Sequence, residues 1–266
     1  MRANYHTHTV WCDGKNTPEE MILSAIEKGF DVLGFSAHAT YPFDYECTVP
    51  PARLAGYFSE VRALAEKYAR QIKVLCGVEA DYIPGVTDPD RGRYASFEPD
   101  YLIGSVHYVV APDGAQVPVD HTPDLLASGI AAHFGGSVRA FLETYFAQQR
   151  EMVRAFDFDL VGHPDLCRKF NTKHPYFDEG ADWYRAELIR TADAFAASGK
   201  PVEVNTGAIS RGWMDDAYPS AAFRALLRER GVSFVLSADA HAAETLDCAF
   251  ERFAAAEQFI PLPVRT

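Results

Sequence analysis

Short apolar runs recur along the chain, and between them lie longer stretches whose apolar residues fall three and four positions apart. The runs predict strands and the stretches predict amphipathic helices. Strands are expected at the start of the stretch 3–14 (ANYHTHTVWCDG) and at 30–38 (FDVLGFSAH), 72–79 (IKVLCGVE), 101–107 (YLIGSVH), 158–165 (FDLVGHPD), 201–206 (PVEVNT) and 232–241 (VSFVLSADAH). Helix boundaries carry their own signals. Thr17 stands as an N-cap before Pro18, with Glu20 as its capping-box partner, and Gly29 closes that helix. Pro50 and Pro51 open a second helix that runs to about residue 70. Further helices are expected over 138–155, over 180–198 with Gly199 as the stop, over 219–230 with Gly231 as the stop, and over 242–260. Residues 39–49 and 81–99 read as loops. The segment 108–136 is too long for a passive connection and is expected to form a lid or a pocket wall.

Seven strands alternating with helices predict a parallel sheet and an α/β fold. No internal repeat or low-complexity linker divides the chain, so one domain over 1–266 is expected. The polar residues that end the strands select the architecture. His6, His8, His38, Glu79, His107, His163, Asp239 and His241 all fall at or near predicted C-terminal strand ends. In a closed TIM-like βα-barrel those ends form one rim, where active sites are built. An open sheet would spread them along a line. Closure also sets the first strand beside the last, so the His pair at one end of the chain meets the Asp-His pair at the other.

Composition changes this picture little. Apolar residues make up 48% and charged residues 23% of the 266, which is ordinary for a globular chain. The formal charge of −12 and pI of 5.2, with no block of Lys/Arg, argue against nucleic acid as a partner. Bound divalent cations would offset part of that negative charge. No apolar run approaches the length of a membrane span, and no signal peptide is expected ahead of His6. The five cysteines, Cys12, Cys47, Cys76, Cys167 and Cys248, form no C-x-x-C pair, which fits a reduced cytoplasmic protein.

Residues i and i+2 of a strand share a face, so His6 and His8 can grip one ion, and Asp239 and His241 repeat the spacing. With Asp13 the candidate set holds six histidines and three carboxylates. Nitrogen and oxygen donors without thiolate suit Zn, Mn or Fe. Nine side chains are too many for one ion and ample for two or three. Three divalent ions against three carboxylates leave a charge of about +3, which a hydroxide and a phosphate-monoester dianion together cancel. That balance suits phosphate-monoester hydrolysis by metal-activated hydroxide. His121, His133 and His174 lie outside strand ends and read as ordinary histidines.

The ordered series His6-Thr7-His8, Asp13, His38, Glu79, His107, His163 and Asp239-Ala240-His241 resembles the polymerase and histidinol phosphatase (PHP) superfamily over nearly the whole chain. Gly104-Ser105-Val106-His107, Gly162-His163-Pro164-Asp165-Leu166 and Glu203-Val204-Asn205-Thr206 narrow the likeness toward the monofunctional L-histidinol-phosphate phosphatases. The resemblance implies a distorted (βα)7 TIM-like barrel with a trinuclear metal centre. One ion would take His6, His8, Glu79 and Asp239. A second would take Glu79 as a bridge with His107 and His163. A third would take Asp13, His38 and His241. Some relatives carry histidine where this chain has Asp13. The implied reaction, part of histidine biosynthesis, is attack of a metal-bridging hydroxide on L-histidinol phosphate.

Phosphate recognition needs a cationic fork as well, and Arg168 and Arg211, each following a predicted strand, are the candidates. Lys169 competes with them. Asp239, His241 and a metal-bound water stay open as the acid for the leaving alkoxide. Trp11, Tyr41, Tyr108 and Trp213 are candidates for a wall against an imidazole. Two other activities compete: a phosphoesterase acting on another small phosphate ester or a nucleotide, and a metal-dependent amide hydrolase, which also begins with H-x-H on a barrel strand.

Overall fold

The computed structural model describes residues 1–43 and 46–264; positions 44 and 45, inside the loop expected over 39–49, lie outside the described residues. Its strands, in chain order, are β1 (Ala3–Asn4), β2 (Val32–His38), β3 (Lys73–Asp81), β4 (Leu102–Ser105), β5 (Tyr108–Val110), β6 (Gln116–Pro118), β7 (Leu160–Val161), β8 (Val202–Asn205) and β9 (Phe234–Ser237). Seven of them form one sheet in the order β1-β2-β3-β4-β7-β8-β9, and β5 and β6 make a separate antiparallel hairpin. Neighbours in the seven-stranded sheet run parallel throughout. The α/β chain thus forms a nearly closed, distorted barrel, as the alternation of its elements predicts.

The first and last strands meet without a full ladder. A parallel bridge joins Thr7 to Ala240. The backbone N–H of His8 donates to the Ala240 carbonyl at 2.9 Å, and the N–H of Ala240 donates to the His6 carbonyl at 3.1 Å. The Asn4 side chain adds to this seam: its Oδ1 accepts from the N–H groups of His6 and Ala238, both at 3.1 Å.

Strand alternation explains where the core ends and the site begins. On β3, Val74, Cys76, Val78 and Ala80 join the large cluster between sheet and helices. The other face reads Leu75, Gly77, Glu79, Asp81. Leu75 belongs to a smaller buried cluster with Tyr5, Val32, Tyr101, Ile103, Leu160, Val235 and Leu262. Gly77 leaves room for the Tyr101 ring: a Cβ there would stand 2.5 Å from the Tyr101 carbonyl oxygen and 2.9 Å from its ring. One strand face therefore passes from apolar floor to acidic rim within four positions.

Helix signals hold where caps were legible. The helix Pro18–Glu27 has the full capping box, Thr17 Oγ1 accepting from Glu20 N and Glu20 Oε2 accepting from Thr17 N. Helices also form over Pro51–Tyr68, Val138–Ala155, Asp182–Ser198 and Ala221–Glu229. Other expectations are corrected. The presumed loop 81–99 contains a short helix, Arg91–Tyr94, nucleated by Asp90 as N-cap, and a 3-10 turn, Ala95–Phe97. The segment 108–136 does supply part of a cavity wall, through Asp120 and His121, and has regular structure of its own, the β5–β6 hairpin followed by the helix Pro123–His133. The last stretch, expected as one helix over 242–260, is only a 3-10 turn (Ala243–Thr245) and the helix Phe250–Ala256. Ala249 between them has φ of 59°, a left-handed conformation that a continuous helix cannot contain. Glu257 is extended, and the chain beyond it, without regular structure, carries Leu262 into the smaller apolar cluster. Among the described residues, no single helix is long and apolar enough to cross a membrane.

Candidate metal centre

Glu79 is the centre of the rim. It is fully buried near the end of β3, and its register partner on β2 is His38. Its Oε2 lies 3.1 Å from His6 Nε2, 3.0 Å from His38 Nδ1 and 3.6 Å from His8 Nε2. Its Oε1 lies 2.8 Å from His163 Nε2 and 3.6 Å from His107 Nε2, and accepts from Ser105 Oγ at 2.6 Å. Five imidazoles from β1, β2, β4 and β7 or the residues just after them thus surround one carboxylate.

The remaining candidates close the ring. Asp239 Oδ1 lies 3.3 Å from His8 Nε2 and 3.7 Å from His6 Nε2. Asp239 takes φ of 50°, a left-handed conformation that Asp tolerates better than most residues, where the chain leaves β9. Asp13 Oδ2 lies 3.1 Å from His241 Nε2 and 3.7 Å from His38 Nε2. Asp13 and His241 are the outer members, with side chains 29% and 23% exposed, while those of His6, His8 and Glu79 are at 0%. All nine residues singled out from the sequence therefore converge on one mouth.

Burial opposes every charge here, and only the neighbours decide each titration. Burial raises the Glu79 carboxyl, yet His6, His38 and His107 hold it well below the usual range. Burial likewise acts against Asp239, which Arg211 and His6 keep ionised. For His38 the carboxylates of Glu79 and Asp13 overcome burial and push the imidazole up to about 10. Asp81 and Glu79 push His107 up to about 9 in the same way. His8 differs: burial and the imidazoles of His241 and His38 push it down to about 3.

These residues fit a metal. Among the described residues, His6 Nε2, His8 Nε2, His38 Nδ1 and Glu79 Oε2 are buried without a well-aligned hydrogen bond, although the three nitrogens crowd within 3.0–3.6 Å of Glu79 Oε2. A buried polar atom without a partner costs about 1–3 kcal/mol, so several aimed at one point call for a cation between them. The potential ligand atoms fall into overlapping groups that lie within 4.8 Å of one another: His8, Asp13, His38, His241; His6, Glu79, His163; His6, His8, Asp239; and His38, Glu79, His107. Hard oxygen and borderline nitrogen donors of this kind suit Zn, Mn or Fe.

The mouth opens into a cavity of about 180 Å³, lined by Asp13, His38, His107, His163, Asp239 and His241, and on its outer side by Tyr41, Asp120, His121, Lys169 and Arg211. Hollows of about 570 and 550 Å³ lie elsewhere, and among the described residues neither contains a group of close ligand atoms. Arg211 sits against Asp239, its Nη2 2.8 Å from Oδ2. Gly207 permits this approach, since a Cβ there would be 2.6 Å from Arg211 Nη2.

Arg168 is a correction. It does not line the cavity. Its Nε donates to Glu179 Oε2 at 2.6 Å, and its Nη1 lies 3.6 Å from Asp165. The cause is the 3-10 turn Leu166–Arg168, on which residues three apart eclipse. Leu166 and Lys169 therefore both face the cavity and Arg168 points away. Lys169 Nζ donates to the Asp120 carbonyl at 2.7 Å and to Asp120 Oδ2 at 2.9 Å. Of the aromatic candidates, Tyr41 lines the cavity and Tyr108 packs behind it edge-on at 5.7 Å. Trp11 lies outside, donating to Glu60, and Trp213 packs on Phe170. His121, read as ordinary, is a cavity residue, held by the Tyr108 hydroxyl at 3.0 Å.

Sequence reasoning missed Asp81 as a site residue, although its place two beyond Glu79 on one strand puts both on the same face. It also left Glu203 without a role. Asp120 lies in an irregular segment with no periodic signal, where sequence had no handle.

The PHP domain family model matches residues 4–207. A probable histidinol-phosphatase of Deinococcus radiodurans is 31% identical over 242 residues, covering 89% of this chain and 85% of that protein. A Listeria monocytogenes structure assigned as a histidinol phosphatase superposes with a TM-score of 0.83 at 21% identity, covering 95% of this chain and all of that one. The histidinol phosphate phosphatase of Lactococcus lactis, solved with zinc, L-histidinol and phosphate, superposes with a TM-score of 0.67 at 19% identity over 100% of this chain and 99% of that one.

Proposed function

Because this chain belongs to the PHP domain family and is a metal-dependent phosphatase, we propose that it hydrolyses L-histidinol phosphate to L-histidinol and inorganic phosphate, a step of histidine biosynthesis, at a trinuclear metal centre. The observation that carries the reading is Glu79, a single buried carboxylate ringed by five imidazole nitrogens at 2.8–3.6 Å. His6, His8, Glu79 and Asp239 would hold one ion. Glu79, His107 and His163 would hold a second, and Asp13, His38 and His241 a third. The chemistry such ions supply is activation of water as a nucleophile near neutral pH and uptake of charge at the phosphoryl oxygens.

The chain's own residues orient the ester. Arg211 lines the cavity with Nη2 on Asp239 Oδ2 and Nη1 beside the Asp239 carbonyl and His241 Nδ1, and would turn its planar fork to the phosphoryl oxygens when the ester binds. Lys169, held by Asp120, adds a second cation at the outer wall. Tyr41 offers an aromatic face for the imidazole of the substrate. Of the three candidates for protonating the leaving alkoxide, Asp239 is held ionised beside Arg211 and has no proton to give, which leaves His241 or a water at the centre.

The test is a substrate profile. The metal-loaded protein should release phosphate from L-histidinol phosphate with kcat/KM at least about tenfold above mononucleotides and p-nitrophenyl phosphate, a difference of about 1.4 kcal/mol in the barrier. A flat profile would reassign the chain to a phosphomonoesterase of another small ester. Ammonia release from amides without phosphate release would favour an amide hydrolase.

Arg211→Ala should lower kcat/KM for the phosphate ester by about 10²- to 10³-fold, the usual cost of one preorganised charge-stabilising donor. Arg211→Lys should recover little, since an ammonium cannot reproduce the fork. Steady-state kinetics together with metal counting checks this, and wild-type rates in the alanine variant would remove Arg211 from the site.

A further inference from the structure

Two fully buried carboxylates stand behind the ring of ligands and touch the imidazoles from the far side. Glu203, on β8, has Oε1 2.7 Å from His6 Nδ1. Its Oε2 accepts the backbone N–H of His163 at 3.0 Å and Asn205 Nδ2 at 3.0 Å. Asp81, at the end of β3, repeats the arrangement: its Oδ1 is 2.8 Å from His107 Nδ1 and accepts the backbone N–H of His107 at 2.9 Å. Among the described residues, Nδ1 of His163 and of His8 has no such hydrogen-bonded carboxylate, and His241 Nδ1 instead lies 3.0 Å from the Asp239 carbonyl oxygen. His163 Nδ1 is buried with none, and His8 Nδ1 faces the Cys12 sulfur at 3.5 Å.

A carboxylate only accepts, so the Nδ1 of His6 and of His107 carries a hydrogen in the imidazolium and in the neutral ring alike. A neutral imidazole has one remaining lone pair, which then lies on Nε2. That atom faces Glu79 and Asp239 in His6, and Glu79 in His107. Glu203 also spans two ligands from strands that are not neighbours, His6 after β1 and His163 after β7. We propose that Glu203 and Asp81 are positioning residues of the metal centre, each locking a histidine in the tautomer that presents Nε2, with Glu203 in addition fixing His6 relative to His163. The inference rests on the reading of His6, His107 and His163 as ligands.

A carboxamide separates this role from mere packing. Glutamine at 203 keeps the volume but can accept at one end only. It must turn its NH₂ either toward His6, driving the hydrogen to Nε2, or toward the His163 N–H, donor against donor. Zinc competition with a chelator, read as ions retained per chain by elemental analysis, should show a loss of affinity of about 10- to 100-fold in Glu203→Gln and Asp81→Asn. Far-UV circular dichroism should be unchanged, and Glu203→Asp, which keeps the carboxylate, should retain more zinc than Glu203→Gln. Wild-type zinc affinity in the folded carboxamide variants would overturn the inference and leave the metal reading intact. Should the variants not fold, nitrogen-15 spectra of the zinc-loaded wild type decide: Nδ1–H signals for His6 and His107 support the inference, and Nε2–H signals overturn it. A wild-type chain that retains no zinc would overturn the ligand reading and this inference with it.

Discussion

Glu79→Ala should lower kcat/KM by at least about 10³-fold and reduce the metal retained per chain, while the barrel still folds. One lost charge-stabilising group ordinarily costs about 10²- to 10³-fold. Glu79 exceeds that range because both its oxygens face ligands, Oε2 toward His6, His8 and His38, and Oε1 toward His107 and His163. Its removal takes a negative charge from the middle of a group of imidazoles that would then face one another. Glu79→Gln tests charge apart from shape, because a carboxamide oxygen can still accept from Ser105. Its rate should fall nearly as far, since an amide oxygen is a poor substitute for a shared carboxylate. Kinetics at excess zinc or manganese, with elemental analysis of the same samples, checks both variants. Near-normal activity in Glu79→Ala would dismantle the centre.

Stripping the metals with a chelator should reduce phosphatase activity to background, and restoring them at pH 7.5 should release about three protons per chain. The sign follows from the metal-free charges. His38 and His107 are raised to about 10 and about 9, and Glu203, Glu79 and Asp239 raise His6 well above its ordinary value against the effect of burial. All three are imidazolium at pH 7.5 without metal and must surrender a proton to coordinate. His8, lowered to about 3, is already neutral and contributes none. Apparent metal affinity therefore rises with pH across the neutral range, and the contributions of His107 and His38 fade as pH passes about 9 and about 10. Titration in weak buffer with a pH electrode or calorimeter measures the release. Metal uptake without proton release would show that His6, His38 and His107 are not imidazolium ions displaced by the metal.

Much of this site was legible because strand ends are legible. Six of the seven apolar runs stopped at or near a histidine or an acid, 201–206 being the exception, and parallel strands put such stops on one edge, so His38, Glu79, His107 and His163 could be gathered without coordinates. Arg168 shows the limit. Its sequence position beside Lys169 is neutral between them, and only the pitch of a single 3-10 turn decides which cation faces the substrate cavity. Asp120 was hidden differently, since its partner Lys169 lies 49 residues away and nothing local marks the pair. The last helix failed because apolar periodicity cannot reveal that Ala249 adopts a left-handed backbone and that Leu262 is drawn beneath the sheet.

The meeting of β1 and β9 has a consequence for how the barrel stays shut. Thr7 and Ala240 provide a lone rung there, and His8 and Asp239 stand on opposite sides of it, 3.3 Å apart. A cation gripped by both would act as a rivet across the weakest joint of a hoop. Chemistry and closure would then share one fastening, and whatever draws the ion out would also unlace the two ends of the chain.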